Sequence, residues 1–243
     1  MLIITTLFVE IEGKKLLENF SLVIEPGTVH VCMGPNGSGK SSLAYALLGH
    51  PLYRVTQGSI MFEGQDITGI STDKRARAGL FLSLQQPYEI PGVLLSTLLR
   101  ESFRAMHPTL SLDIYLDRLA DACNVLQFDR AFLDRPVHLG FSGGEKKRCE
   151  MLQLLVLQPK LAILDEIDSG LDVDALTLVG KALQKFKQLS PQSSLFIITH
   201  YKKILDHITP DFVHIMYKGK LIKSSDASLL VQVERHGFQS FIL

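Results

Sequence analysis

The stretch "VHVCMGPNGSGKS", residues 29–41, places a glycine-rich turn between an apolar strand and the start of a helix. It matches the pattern G-x-x-x-x-G-K-[ST] in full, and in the strand–turn–helix context that this pattern requires. The glycines allow the backbone to curl with its N–H groups pointing inward, where they and the positive end of the helix dipole can hold phosphate groups. The stretch therefore predicts a P-loop that binds a nucleotide; the alternative is an ordinary glycine-rich turn.

Two side chains of this loop add to what the backbone offers. Lys40 brings a positive charge to the β- and γ-phosphates, and Ser41 offers a hydroxyl group to Mg²⁺. The predicted nucleotide-binding residues are Gly34, Pro35, Asn36, Gly37, Ser38, Gly39, Lys40, Ser41 and Ser42.

A carboxylate for the metal is expected in "KLAILDEIDSGLD", residues 160–172, where an apolar strand ends in Asp165 and Glu166 follows it. Ligands of such sheets lie beyond the carboxyl ends of the strands. Asp165 is therefore expected near Mg²⁺, usually through a water, and Glu166 is expected to polarise the attacking water as general base. Taken alone, the pair fits equally well with a helix N-terminus that favours acidic side chains.

Two further strands end in polar side chains, because "LFLSL" is followed by Gln85 and "LFIIT" by His200. Four apolar strands then deliver polar groups to one edge of the sheet. Gln85 can orient water or complete the metal shell, and His200 can contact the γ-phosphate or position Glu166. The set predicts a hydrolytic site with Glu166, His200 and Gln85 as catalytic residues and Ser41, Gln85 and Asp165 as metal ligands.

The order of periodic segments predicts an α/β fold. The segments "LFVEIEG", "FSLVIEPG", "TVHVCM" and "GSIMFEGQD" read as an antiparallel β start, and the pattern is helical from about Gln85 to Gln158. Strands and helices then alternate, with helices at "VDALTLVGKALQKFKQL" and "KKILDHI" and a closing hairpin "FVHIMYKGKLIKSS" that turns near Lys218 and Gly219. We expect a P-loop NTPase (RecA-like) fold: a mainly parallel sheet with an N-terminal antiparallel β subdomain and an inserted α-helical subdomain.

Within this single domain of residues 1–243, residues 1–84 and 160–243 are expected to form the catalytic α/β core with its antiparallel part. Residues 85–159 are expected to form the helical subdomain.

Composition excludes several classes of protein. With 25 basic and 25 acidic residues the chain has no basic field for nucleic acid, so no nucleic-acid partner is expected. The start "MLIITTLFVEIEGKK" alternates like a strand and lacks a basic n-region, and no apolar window reaches the roughly 18 residues of a membrane span. A cytoplasmic protein without direct membrane insertion is expected. Cys32, Cys123 and Cys149 are scattered, which indicates packed, reduced thiols rather than a metal or cluster site.

A second anion site is predicted by "HLGFSGGEKKRCE", residues 138–150. Ser142 is a good N-cap, Glu145 completes a capping box, and Pro159 ends the helix after Gln158. The P-loop already surrounds the phosphates of its own nucleotide, so this helix N-terminus has no phosphate left in the same chain. The simplest solution is a two-fold pair in which each P-loop faces the Ser142 turn of the other copy, with two ATP molecules between them.

Taken together, the motifs resemble those of ABC-type ATPases over the whole chain and in the same order. Residues 34–41 resemble the Walker A motif, Gln85 the Q-loop, "LAILDE" the Walker B motif and His200 the H-loop. The signature resemblance covers Ser142, Gly143, Gly144 and Glu145, and the D-loop resemblance covers Ser169, Gly170, Leu171 and Asp172. The resemblance implies an ATPase that hydrolyses ATP to ADP and phosphate with Mg²⁺, and that pairs with a second copy of itself in the ATP-bound state.

Four longer segments resemble the SufC subfamily, the soluble ATPase subunits of SUF iron–sulfur cluster assembly. They are "QQPYEIPGV", "GFSGGEKKRCE", "LDEIDSGLDVDAL" and "ITHYKKILDHITPDFVHIMYKGKLIKS". The chain departs from that subfamily at Gln86, usually an aromatic residue, and at Ile167, usually Ser or Thr. The resemblance implies soluble scaffold partners of the SufB/SufD type. The nucleotide-binding subunit of an ABC membrane transporter is the alternative, and a non-catalytic regulator is disfavoured by the full set of motif residues.

The segment after Gln85 is expected to couple nucleotide state to the partner. Pro87 and Pro91 restrict its backbone, and it leads from a phosphate-sensing residue into the helical region. The predicted coupling residues are Tyr88, Glu89, Ile90 and Pro91. The alternative is a rigid loop whose apolar side chains pack inward.

Overall fold

The chain opens with two long strands, β1 (Leu2–Ile11) and β2 (Lys14–Ile24), followed by β3 (Val29–Met33). The computed structural model describes residues 1–199 and 203–241. β1 pairs antiparallel with β2 and with β4 (Arg54–Phe62), and the short β5 (Gln65–Asp66) completes this sheet in the order β2-β1-β4-β5. The predicted antiparallel subdomain is therefore present. The sequence grouping of "TVHVCM" with it is wrong, because β3 pairs in the parallel sheet instead.

Between β3 and the middle of the chain lie the elements that carry the predicted P-loop and Gln85. They are α1 (Lys40–Leu48), α2 (Thr72–Ala78) and β6 (Leu80–Ser83). The sequence reading contained no helix at α2.

The middle of the chain is mainly helical. It contains β7 (Ile90–Leu94), α3 (Leu95–Met106), α4 (Leu112–Leu126), a 3-10 turn (Arg130–Asp134), β8 (Pro136–Val137) and α5 (Gly143–Leu157). β7 and β8 pair antiparallel, with Ile90 opposite Val137, so this part of the chain is not purely helical as expected. The pairing ties the segment after Gln85 to the stretch that leads into α5.

The last third of the chain returns to alternating strands and helices. It contains β9 (Leu161–Asp165), α6 (Val173–Leu189), β10 (Ser194–Ile198), a 3-10 turn (Lys203–Asp206), β11 (Phe212–Tyr217), β12 (Lys220–Ser225), α7 (Ser228–His236) and a 3-10 turn (Phe238–Phe241). The predicted α6 is found with the same bounds, and the predicted hairpin turns at Lys218 and Gly219, which both have positive φ. The helix expected at "KKILDHI" is only a 3-10 turn in its described part.

The larger sheet has the order β12-β11-β3-β10-β9-β6, and β3, β10, β9 and β6 run parallel. Both of its faces are buried. Along β9, Ile163 packs into the cluster shared with the antiparallel sheet and α1, whereas Ala162 and Leu164 pack into the cluster shared with α3 to α6. Burial on both sides explains why the core strands are continuously apolar, and it brings the carboxyl ends of four parallel strands to one edge.

The sequence also led to expectations about the three cysteines and about helices that could cross a membrane. The three cysteines are free and buried, in agreement with packed, reduced thiols. Within residues 1–199 and 203–241, no helix is both long and apolar enough to cross a bilayer.

A buried arginine fixes the end of the helix that follows the P-loop. The Arg75 guanidinium donates to Ala46 O at 2.9 Å, to Leu47 O at 2.7 Å, and to the carbonyls of Ile70 and Thr68. Carbonyls in the last turn of a helix have no partner inside it, so Arg75 adds side-chain donors to the backbone cap of α1, where the Gly49 N–H donates to Ala46 O at 3.1 Å. Burial lowers the pKa of Arg75 to about 10, which indicates how strongly the side chain is removed from water.

We predict that Arg75→Met lowers the free energy of unfolding by roughly 3 kcal/mol, because buried carbonyls then lack donors. Urea denaturation followed by circular dichroism measures this. Arg77→Met is the matched control, because Arg77 lies on the same helix with its side chain 61% exposed, in an ion pair with Asp73. Such pairs contribute under about 1 kcal/mol. Equal losses in both variants would contradict this account of Arg75.

Candidate active site

The P-loop turns where only glycine fits. Gly39 forms the N-cap of α1 with φ 102°. Gly34 has φ 154°, and a Cβ there would lie 2.2 Å from Met216 O. A side chain at Gly34 would thus displace the strand packed against the loop.

Lys40 is folded back over this loop. Its Nζ donates to Gly34 O at 2.9 Å and to Pro35 O at 3.1 Å, and the residue is 4% exposed. Burial lowers the pKa of Lys40, while the nearby carboxylates of Glu166 and Asp165 act in the opposite direction. The hydrogen bonds are to weak neutral acceptors, so an anion in the loop offers the ammonium group a stronger partner.

The carboxylate expected for the metal lies at the end of β9. Asp165 is 2% exposed, and a hydrogen bond from Ser41 stabilises its charged form. Burial nevertheless raises the pKa of Asp165, and Oδ1 has no hydrogen-bond partner among the described residues. An unpaired buried carboxylate oxygen is costly, and a divalent cation would remove that cost. Carboxylate and hydroxyl oxygens are the ligands that Mg²⁺ prefers, so Asp165 and Ser41 fit this ion.

Glu166 follows directly in an unusual backbone conformation. Its φ of 48° lies in the left-handed region that non-glycine residues avoid, and its N–H donates to Ile198 O of β10 at 2.9 Å. The Gln85 side chain donates from Nε2 to Glu166 Oε2 at 2.6 Å. Strain of this kind at a non-glycine residue persists only where the surroundings impose it, and it is typical of functional sites.

These groups share one cleft. Residues 36–42 line a cavity of about 340 Å³ together with Gln85 and Glu166. The structure thus brings together the predicted P-loop residues, the predicted catalytic carboxylate and the predicted glutamine. The cavity can accept an anionic ligand, hold it with loop amides and Lys40, and present it to a carboxylate.

His200, the remaining predicted catalytic residue, lies outside the described residues. The residue before it is described, and Thr199 Oγ1 donates to Asp168 Oδ2 at 2.6 Å. This bond joins the end of the β10 stretch to the turn after Glu166. Sequence reasoning assigned no role to either residue.

The predicted signature turn has the expected cap. Ser142 Oγ accepts from Glu145 N at 3.4 Å, and Glu145 Oε2 accepts from Ser142 N at 2.7 Å, so the capping box is complete. Ser142 and Gly143 are exposed. Among the described residues that line the P-loop cleft, none comes from residues 142–145. Within one chain, the two predicted anion sites are therefore separate.

The predicted D-loop is also apart from the cleft lining. Ser169 N donates to Glu166 O at 3.1 Å, and Asp172 caps α6 by accepting from Ala175 N at 2.7 Å. The next side chain, Val173, is apolar and 72% exposed. Leu171 is half-buried and Gly170 has φ 71°.

The predicted coupling residues lie on the surface. Tyr88 is 69% exposed and Ile90 is 39% exposed, so neither packs inward as the alternative required. Glu89 Oε1 accepts from Lys146 Nζ of α5 at 2.9 Å. Burial raises the pKa of Tyr45 on α1 to about 12, and the neighbouring Tyr88 side chain adds to this shift. The segment is thus exposed yet tied to two helices that begin at predicted anion sites.

Sequence reasoning missed three buried polar residues around this segment. Lys147 Nζ donates to Leu84 O and to Gln85 O at 3.0 and 2.9 Å, and the residue is 5% exposed. Glu150 and His138 are also buried. The only available signal was the three-residue spacing of Lys147 and Glu150, which puts both on one helix face.

Comparison with known proteins shows to which family a chain with these features belongs. The ABC transporter family model matches residues 17–169, which contain the P-loop, Gln85, the capped turn at Ser142 and both carboxylates. The chain belongs to the ABC transporter family. This ABC protein is an ATPase, and its sheet and helices have the P-loop NTPase fold that the sequence predicted.

Individual relatives agree with this membership. "Vegetative protein 296" of Bacillus subtilis is 45% identical over 240 residues, or 98% of this chain and 91% of that protein. The probable ATP-dependent transporter SufC of Escherichia coli is 43% identical over 98% of this chain and 97% of its own. A dimeric ATP-binding cassette solved in a post-hydrolysis state with ADP and Pi has a TM-score of 0.78 at 17% identity, covering 93% of this chain and 99% of that one. At this identity it shows the common fold alone.

We predict that Asp165→Asn raises the Mg²⁺ concentration needed for half-maximal ATP-induced thermal stabilisation by about tenfold. Without nucleotide the variant should melt no lower than the parent, because burial already opposes the charge of Asp165. Differential scanning fluorimetry with a Mg²⁺ titration at fixed ATP measures both. The control is Asp168→Asn, whose carboxylate is buried on the following turn and bonds Thr199. The same Mg²⁺ shift in both variants would remove Asp165 as a ligand.

Proposed function

We propose that this ABC ATPase is the energy-converting subunit of an iron–sulfur cluster assembly system in the cytoplasm. It dimerises on ATP and drives conformational change in soluble scaffold partners of the SufB/SufD type. The observation that carries this proposal is the 43% identity with SufC along nearly the whole of both chains. The exposed position of the coupling residues, Tyr88 above all, supports a protein partner at this surface.

The geometry supports a division of work within the cleft. Loop amides and Lys40 bind the β- and γ-phosphates, and Ser41, Asp165 and Gln85 are the residues that would hold Mg²⁺. When bound, Mg²⁺ would supply positive charge that stabilises the phosphate groups. Glu166 accepts a proton from the attacking water as that water's oxygen bonds to the γ-phosphorus and the bond to ADP breaks. His200 contacts the γ-phosphate or positions Glu166.

Two copies complete each site in this proposal. The signature residues of one copy, Ser142 to Glu145, contact the γ-phosphate held by the P-loop of the other, and the D-loop residues 169–172 lie at the same interface. The separation of the signature turn from the cleft of its own chain supports this arrangement. The exposed Val173 beside the D-loop adds apolar area that a second copy can bury. A dimer of a cassette with the same fold is also known, bound to ADP and Pi.

Residues 85–159 are proposed as a helical subdomain that moves against the core of residues 1–84 and 160–243. The segment after Gln85 passes this movement to the scaffold through Tyr88, Glu89, Ile90 and Pro91.

A transporter subunit remains the second candidate, because relatives from Streptococcus pyogenes at 43% identity are named probable ABC transporter ATP-binding proteins. Co-purification with soluble partners rather than with membranes separates the two.

We predict opposite behaviour for two variants of the cleft. Lys40→Ala weakens ATP binding by about tenfold or more, because it removes a charge-assisted contact. Glu166→Gln keeps ATP binding but lowers kcat by about 10²- to 10³-fold, and it accumulates an ATP-bound dimer because the amide cannot take a proton from water. Equilibrium ATP titration, phosphate release and light scattering measure the three quantities. Equal loss of ATP binding in both variants would contradict the assigned roles.

A second prediction concerns the scaffold. Tyr88→Ala combined with Glu89→Lys should weaken association with SufB/SufD-like partners by at least about tenfold, because it removes exposed contact area and reverses a charge. The melting temperature and ATP affinity should stay near those of the parent. Quantitative pull-down, melting and ATP titration on one preparation measure this.

The matched control separates a partner contact from the internal Glu89–Lys146 ion pair. Glu89→Lys with Lys146→Glu restores that pair in reverse. If the swapped variant binds the scaffold as the parent does, Glu89 acts within its own chain and is no partner contact. Continued weak binding by the swapped variant supports direct contact.

A further inference from the structure

The start of the signature helix holds the backbone on both sides of Gln85. Lys147 Nζ donates to Leu84 O at 3.0 Å and to Gln85 O at 2.9 Å. One helical turn further, the Glu150 carboxylate lies near the Leu84 backbone N–H, which favours the charged form of the carboxylate. Lys147 and Glu150 lie three residues apart on one helix face, so both face the backbone of the same residue. The backbone that carries Gln85 is thereby fixed to α5.

Glu150 also reaches the far end of the segment through His138. His138 Nδ1 lies 3.0 Å from Tyr88 O, and its Nε2 lies 3.4 Å from Glu150 Oε1. Because a carbonyl oxygen only accepts, Nδ1 must carry a hydrogen, and the contact between Nε2 and Glu150 then needs a second proton. The side chains of His138 and Glu150 are 4% and 7% exposed, so water offers little replacement for either.

Glu150 is an unexpected residue at this position. Burying a charged carboxyl group in a core between helices destabilises the fold by about several kcal/mol unless its oxygens have polar partners. Burial raises the pKa of Glu150 to about 7, and the charge of Lys147 is the largest influence that opposes this. The Gln153 amide donates to Oε1 at 3.1 Å. The polar groups near this carboxyl group include Lys147, Gln153 and His138, and Lys147 and His138 lead to the coupling segment.

We propose that Glu150 is a positioning residue for ATP hydrolysis: through Lys147, Leu84 and His138 it fixes the backbone of Gln85, and thereby the contact of Gln85 with Glu166. The charge of Glu150 acts on Lys147, Lys147 donates to the backbone of Leu84 and Gln85, and the route ends in the 2.6 Å bond between Gln85 and Glu166. It joins the helix that faces a second copy to the base that activates water. The inference rests on the proposed roles of Gln85 and Glu166.

Glu150→Leu removes the carboxyl group and its polar contacts, while it keeps a side chain of similar size in the core. We expect kcat to fall by about ten- to hundredfold, as expected for a misplaced catalytic contact, with ATP affinity within about twofold of the parent. Glu150→Gln should recover most of the loss, because its oxygen can accept from Leu84 N–H and its amide can donate to His138 Nε2. A role in core packing alone predicts no such difference between Leu and Gln.

A double-mutant cycle tests the route itself. If Glu150 acts through Gln85, then Glu150→Leu added to Gln85→Ala should lower kcat by less than about twofold beyond Gln85→Ala alone. Met151→Ala is the matched control, because it creates a cavity at a fully buried position of the same helix. At a comparable loss of melting temperature, Met151→Ala should leave kcat near that of the parent. If Glu150→Leu does not fold, Lys147→Met takes its place in the same cycle.

The outcomes separate this inference from the proposed function. If the parent hydrolyses ATP and Glu166→Gln does not, the assignment of Glu166 as the general base stands. The Glu150 variants then decide whether Glu150 is a positioning residue. An unchanged kcat in Glu150→Leu, an effect that multiplies fully with Gln85→Ala, or an equal loss in Met151→Ala overturns the role of Glu150. If Glu166→Gln turns over ATP as fast as the parent, both proposals fall together.

Discussion

The first amides of an α-helix have no partners inside the helix, and this constraint determines what one copy of the chain can do alone. At α1 the constraint is met by a loop whose amides face a cleft lined by residues of the same chain. At α5 the capping box uses the amides of Ser142 and Glu145, and those of Gly143 and Gly144 stay at an exposed turn. In the proposed function, the first set of donors serves the chain's own nucleotide and the second serves the nucleotide of another copy.

The parallel sheet explains why the residues of the candidate active site meet. β3, β10, β9 and β6 are neighbours, so the P-loop, Asp165 and Gln85 emerge at one edge although they are distant in sequence. Burial then sets their electrostatics: it lowers the pKa of Lys40 and raises that of Asp165. Both shifts make the cleft favour a ligand that brings phosphate oxygens and a cation together. The Gln85 side chain donates to Glu166 at the same edge of the sheet.

Patterns that depend on nearest neighbours were predictable from the sequence. The strand–turn–helix context of the P-loop, the capping box and the α6 helix follow from local geometry, so their positions were predicted correctly. The sheet to which β3 belongs was predicted wrongly: all five of its residues are buried, as in the other core strands, but only the long-range pairing shows which sheet the strand joins. The pairing of β7 with β8 and the roles of Lys147, Glu150 and His138 also escaped. The sequence alone does not distinguish a buried lysine or glutamate from an exposed one, because their burial depends on how the helices pack.

The central claim, that the signature turn acts on the nucleotide of another copy, is tested most directly by mixing two inactive variants. A Cβ at Gly143 meets no described heavy atom within 4 Å, so Gly143→Asp should fold normally, while its carboxylate repels a γ-phosphate across the interface. Phosphate release is measured for Gly143→Asp, for Lys40→Ala, and for their mixture. The account predicts that the mixture regains turnover, because one composite site then has an intact P-loop from one copy and an intact signature turn from the other. Turnover that stays at the level of the separate variants, together with ATP binding lost in isolated Gly143→Asp chains, would contradict it.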